Sequence, residues 1–308
     1  MPRLVLSLVA VLLVGCPADG SDDDDTTASS EDRPCSSWSP AVSLATVDDG
    51  ELDEISGLVA SRRTSGVFWV HEDSGSSPVL TALDRAGRTL GTLTLEGVGA
   101  LDSEDLALGS CADGTDDWCL VLGDFGDNTL TRTDYSLFRV REPDLADEDR
   151  PFDLSLTPEQ LVYTYPEGSQ NAEALVLEPD GVPVVITKRE DGDAWLYRLP
   201  AVWSGPVAAD RVATLAMGPT GGLVDTVTGS DLSPDGDRLL LRTYTYARHY
   251  DVSDDGLDGV SQAATRELLV GAELQGETIA WDDDERSVLH VGEAENATLW
   301  HLECTSSP

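Results

Sequence analysis

Positive charge is scarce in this chain. Across 308 residues, 19 lysines and arginines face 58 aspartates and glutamates, a formal net charge of −39. A field of that sign excludes nucleic acid as a natural partner and favours divalent cations or cationic ligands. Histidine is scarcer still, with four scattered residues, and no Cys-x-x-Cys spacing occurs among the five cysteines, which argues against zinc. There is no phosphate-binding P-loop, dinucleotide fingerprint or Gly-x-Ser-x-Gly elbow. Helical periodicity is also missing. The apolar run from Leu4 to Val14 is too short to span a bilayer as a permanent helix and fits the core of a signal peptide.

What is present begins with an address. Leu13-Val14-Gly15-Cys16 resembles the bacterial lipobox, which implies cleavage after residue 15, acylation of Cys16 and attachment to a membrane. An ordinary signal peptide cleaved nearby is the alternative, and Cys16 directly after Gly15 argues against it. Residues 16–34, with the Asp22–Asp25 run, carry no apolar pattern and read as a solvated, disordered tether. Residues 35–308 are long enough for one large domain. Four cysteines remain, as suits an exported protein in an oxidising compartment. Cys111 and Cys119 bracket a turn-rich segment and read as a hairpin disulfide. Cys35 and Cys304 lie at the two ends of the domain, where a bridge would contribute about 5 kcal/mol in the chain-entropy picture.

Short apolar runs rich in β-branched and aromatic residues recur in a cycle of four, separated by Gly, Pro, Asp and Asn. The first members are DEISGLVA, DSEDLALG, QNAEALVL, VTGSDLSP and QGETIAWD. The second members run from GVFWVHEDSG to SVLHVGEAEN, and the third from PVLTALDRAG to ATLWHLEC. The fourth class has four members after the first cycle starts, and its fifth, PAVSLATVDDG, precedes the first cycle. The pattern is that of an all-β propeller of five four-stranded blades, closed by the N-terminal strand. A six-bladed ring is the rival if Glu142–Gln160 hides a strand pair; that segment reads as an extended loop with one marginal strand.

LSPDGDRLLL, Leu232 to Leu241, resembles the blade turn of TolB-type propellers. Ser103-Glu104-Asp105-Leu106, Gly123 to Asn128, Asn171 to Leu175 and Arg242-Thr243-Tyr244, in this order, look like exported bacterial propellers described as phytase-like. The resemblance covers about residues 50 to 250. It implies the fold. Relatives with phytase activity hold several calcium ions with carboxylates and grip phosphate with basic residues; their motifs find no residue-by-residue match here, so no catalytic role is carried over.

In a propeller the start of each first strand and the end of each second strand share one end of the central channel. Alignment on Leu58, Leu106, Leu175, Leu232 and Ile279 places Ser56, Glu104, Glu173, Ser230 and Glu277 at one equivalent position, with Asp105 and Asp231 one residue later on the other face. The second-strand ends add His71-Glu72-Asp73, Asp124 with Asp127-Asn128, Lys188-Arg189, Arg242 with Tyr244 and Tyr246, and Glu293 with Asn296. Asp124, Asp127 and Asn128 are hard oxygen donors of the kind calcium takes, with Asp105 and Asp231 as further metal-site candidates; a turn in which the same groups cap their own amides is the alternative. Gly123 and Gly126 are expected to permit a tight, left-handed backbone. Glu104, Glu173, Lys188, Arg242 and Glu277 are the candidate ligand-binding set, either as a mixed-charge site or as a salt-bridge network between blades. DVSDDG resembles the start of an EF-hand loop, but Gln262 stands where glutamate is needed. His71 is a candidate base or a structural histidine, and Ser74–Ser77 offer hydroxyls. The leading functional expectation is a module for a small-molecule, glycan or protein ligand, with calcium as the candidate cofactor. A calcium-dependent phosphoesterase and a structural envelope propeller are the alternatives.

Overall fold

A computed structural model describes residues 35, 37–50, 52–73, 78–99, 102–112, 114–146, 148–218 and 222–305. The expected signal peptide, lipidation site Cys16 and acidic tether, and the Ser74–Ser77 hydroxyls, lie outside the described residues. Five sheets, each built on an antiparallel meander, follow one another along the chain. Blade 1 is built from Ile55–Ala60, Val67–Glu72, Val79–Asp84 and Thr89–Leu95. Blade 2 comprises Ser103–Ser110, Trp118–Asp124, Tyr135–Arg141 and Glu159–Thr164. Blade 3 has Ala172–Leu177, Pro183–Thr187, Asp193–Arg198 and Asp210–Ala216, and blade 4 has Val227–Leu232, Arg238–Thr243, Ala247–Asp251 and Ala264–Leu268. Blade 5 is Ala280–Trp281, Ser287–His290 and Thr298–Thr305, completed by the N-terminal strand Val42–Thr46 in antiparallel register, Val42 opposite His301.

Burial follows strand position. The inner strands of blades 1, 3 and 4 are buried at every residue, whereas the outer strand of blade 3 has one buried residue in seven. Inner strands are thus covered on both faces, polar residues included, while the outer strand of blade 3 is largely open to solvent. Five apolar clusters fill the wedges between adjacent blades. One, with Ile55, Leu58, Phe68, Ala280, Leu289 and Leu299, lies between blades 1 and 5, so the wedge between the chain's ends is packed like the others. Cys35–Cys304 ties the segment before the closing strand to the third strand of blade 5, with Cα atoms 5.4 Å apart. Cys111–Cys119 closes the blade 2 hairpin at 5.0 Å. Both spacings suit a disulfide, and the pair points to an oxidising, extracytoplasmic environment.

The segment 142–160 adds no sixth blade. Ahead of Glu159–Thr164, the strand Phe152–Leu156 crosses back to pair in parallel with the outer strand of blade 1. Phe152 packs 6.2 Å from Trp69, and Gly91 makes the approach possible: a Cβ there would meet the Phe152 carbonyl at 2.4 Å. DVSDDG leads into a 3-10 helix, Gly256–Gln262, in which Gln262 is exposed. No helix among the described residues is long and apolar enough to cross a membrane.

Candidate functional site

Each inner strand carries a β-bulge near its start. The ladder skips one residue at Ser56, Glu104, Glu173 and Thr228. In blade 5, Thr278 bonds Val291 while Gly276 pairs with Gly292, which sets Glu277 in the same place. A bulge re-aims its extra residue, which is how three glutamates come together at one end of the channel. The blade 4 position belongs to Thr228, not to Ser230. In blades 1, 3, 4 and 5 the bulge lies five residues before the residue that closes the inner hairpin, Ser61, Glu178, Ser233 and Asp282. Counted that way, Ser230 stands where the other blades have Leu58, Leu175 and Ile279. A polar residue at an apolar position let the alignment slide by two, a slip that keeps the strand face and so leaves the pattern looking intact. Thr228 donates to the Gly276 carbonyl at 2.7 Å and Ser56 to the Glu104 carbonyl at 2.6 Å, so both hydroxyl bulges tie neighbouring blades.

The glutamates sit in an acidic surround. Carboxylate oxygens of Asp73, Asp102 and Glu104 lie within 4.8 Å of one another. Glu104 is 4 % exposed, and burial, then Glu173, Asp73 and Asp102, push its carboxyl well above the usual range. Glu173 is raised to about 7 by burial, against the pull of Lys188. Glu277 is raised to about 9, first by burial and then by Glu173. Glu293 is raised by burial and by Asp73. Lys188 is the one lysine in the chain. Its ammonium bonds Glu173 and, at 2.6 Å, the Tyr244 hydroxyl; burial opposes its charge, but these partners outweigh burial and raise its pKa.

Arg242 is 1 % exposed and bonds Glu273 at 2.7 Å. Glu273 in turn meets His290 Nδ1 at 3.0 Å, while His290 Nε2 accepts the Gly271 amide. That pattern makes His290 a neutral donor to Glu273, in keeping with the fall that burial imposes on its pKa. His71 is buried and held near a pKa of about 4 by desolvation, with Nδ1 on the Glu72 carbonyl, so it is a neutral residue packed on Gly57.

The Asp124–Asn128 loop is built differently from an ion site. Asp124 accepts from the Asp102 amide at 2.9 Å and from both terminal nitrogens of Arg132. Asp127 caps the amides of Thr131 and Arg132 and takes the Tyr135 hydroxyl at 3.0 Å. Asn128 Oδ1 accepts from Asn171. These oxygens are engaged by donors, and the loop is a capped turn clamped by Arg132. Gly123 and Gly126 do not have left-handed backbones. They allow close approach instead: a Cβ on Gly123 would strike Phe125, and one on Gly126 would meet Glu104 Oε1 at 2.1 Å and Asp102 Oδ2 at 2.5 Å. Asp105 accepts the Leu175 amide and Asp231 the Trp281 amide, each at 2.7 Å, so both fasten one inner strand to the next. Burial lifts Asp105 well above its usual range and Asp231 to about 7.

The expected ligand-binding residues thus converge, while the expected metal residues form a turn and two staples. Asp102, Glu273 and Arg132 were missed. Asp102 precedes the signal at Ser103-Glu104 by a single residue; Glu273 and Arg132 lie in connections with no strand pattern. A pocket of about 430 Å³ opens between blades 2, 3 and 4, with Lys188 and Tyr244 in its wall beside Asn171, Arg189, Leu130 and Leu223.

No protein-family model and no curated protein sequence matches the chain. Among solved structures it is similar to the PQQ-bound form of aldose sugar dehydrogenase from Streptomyces coelicolor, with a TM-score of 0.51 and 14 % identity over 88 % of this chain and 99 % of that one. At that identity the likeness speaks for the propeller fold alone.

Proposed function

We propose that this protein is an exported, lipid-anchored propeller that binds a cationic ligand, calcium first among candidates, at the acidic mouth of its channel. The observation that carries this reading is the convergence of Asp73, Asp102, Glu104, Glu173, Glu277 and Glu293 around the single ammonium of Lys188. Carboxylates in mutual repulsion, Glu104, Glu173 and Glu277 buried and the other three partly so, need neutralising, by protons or by a cation. Protons serve in part, since Glu277 at about 9 keeps one at neutral pH. A divalent ion supplies the charge more completely. Asp73, Asp102 and Glu104 fit such an ion, being hard oxygen donors in mutual reach, with water or ligand completing the coordination.

The phosphoesterase reading needs Lys188 and Arg242 free to hold an anion. Lys188 is committed to Glu173 and Tyr244, and Arg242 is buried on Glu273. The geometry therefore favours binding over phosphoester hydrolysis. Titration calorimetry with calcium chloride checks the reading: the wild type takes up calcium and releases protons, and Glu104→Gln binds at least about tenfold more weakly, the loss of roughly one charge-assisted ligand. Equal binding by the variant, or no uptake by either protein, contradicts it.

A further inference from the structure

Large apolar side chains are exposed mainly at one end of this molecule. Eight such residues are exposed among those described, and Leu130, Leu223, Val224, Leu269 and Leu274 make up five of them. Leu130 lies between the second and third strands of blade 2. The other four lie between the outer strand of one blade and the inner strand of the next. In an antiparallel meander both kinds of connection fall at the channel end that bears the glutamates.

A single exposed leucine needs no explanation, but a group around a charged mouth does. Two of these leucines are held out by their surroundings. Leu130 has φ +53°, a left-handed backbone that is costly for a leucine, and Asp127 fixes it there by accepting the Leu130 and Thr131 amides. Leu274 is 94 % exposed because its neighbour Glu273 is drawn inward by Arg242 and His290. Leu130 and Leu223 both line the 430 Å³ pocket, and Lys188 and Tyr244 join that pocket to the carboxylates.

We infer that the mouth face is a protein-docking surface whose partner presents a lysine or arginine flanked by aliphatic side chains. The cation takes the place of the metal ion against Asp73, Asp102 and Glu104, and an aliphatic neighbour seats in the pocket between Leu130 and Leu223. The inference rests on the acidic-mouth reading and names its partner. A metal ion alone leaves the leucines without a role. A second copy of this chain, or an anionic membrane surface, would bring like charge against a net −39.

A random heptapeptide library displayed on phage and selected on the immobilised full-length protein tests this. Enriched peptides are expected to carry Lys or Arg next to Leu, Ile, Val or Met. Their synthetic forms should bind Leu130→Asp and Leu223→Asp roughly tenfold or more weakly, the loss expected for one seated aliphatic group. Calcium uptake by the two leucine variants, measured alongside, should stay at the wild-type level. No enrichment, enrichment of peptides lacking a basic residue, or undiminished binding to both variants overturns the docking surface. Failure of the acidic-mouth reading shows separately, as calcium binding that Glu104→Gln leaves unchanged.

Discussion

Glu277 gives the most quantitative handle on the channel mouth. It is 5 % exposed, no described donor bonds its carboxyl, and its pKa stands at about 9 against 4.5 for a free glutamate. The native state therefore holds a proton that the unfolded chain releases. Stability from this group is intact below pH 4.5, falls as pH rises, and is fully lost once pH passes 9. Within that window one proton costs roughly 1.4 kcal/mol per pH unit, or about 4 kcal/mol between pH 5 and pH 8. Glu277→Gln carries no titrating proton, so it lacks this decline. Its new amide has its own burial cost, but that cost does not vary with pH and cancels from the slope. The assay is urea unfolding of both proteins in EDTA at one-unit intervals from pH 5 to pH 8. The variant's stability relative to wild type should climb steadily by about 4 kcal/mol across the series. Parallel curves would refute the claim that burial keeps the Glu277 carboxyl protonated in the native state.

Three further outcomes follow from contacts at the site and the seam. Gly126→Ala should keep the fold, because its Cβ meets the flexible ends of Glu104 and Asp102, yet lower calcium affinity by displacing both carboxylates; calorimetry and thermal melting separate the two effects. Arg132→Ala leaves the 4 % exposed Asp124 carboxylate without its guanidinium and should cost about 3 kcal/mol in urea unfolding. Replacing Cys35 and Cys304 together by serine opens the ring seam and should cost up to about 5 kcal/mol, whereas the same change at Cys111 and Cys119, a loop of eight, should cost less.

The cycle of four strands was legible because inner strands are buried on both faces and outer strands on one, and because Gly and Asp turns separate them. The closing strand at Val42–Thr46 followed from the same cycle, and the two disulfides from where the cysteines stand, around a turn-rich segment and at the two ends of the domain. Three features were hidden for physical reasons. Phe152–Leu156 joins the sheet of the preceding blade across three intervening strands, a parallel pairing that Gly91 permits but no local pattern announces. The bulge at Thr228 was masked by Ser230 in an apolar slot. The Asp124–Asn128 oxygens have the chemistry of ion ligands, and what decides their role is Arg132 and a backbone amide arriving from outside the motif. The carboxylate ring was found by position, yet its balance of charge depends on Glu273 and Asp102, which come from connections.

The central claim is that a cation neutralises the acidic mouth. Elemental analysis of the purified protein, with its melting temperature taken before and after EDTA, tests it most directly. The account predicts stoichiometric calcium and a melting point that drops on chelation and returns when calcium is restored. A metal-free protein whose melting point ignores both EDTA and added calcium would contradict it.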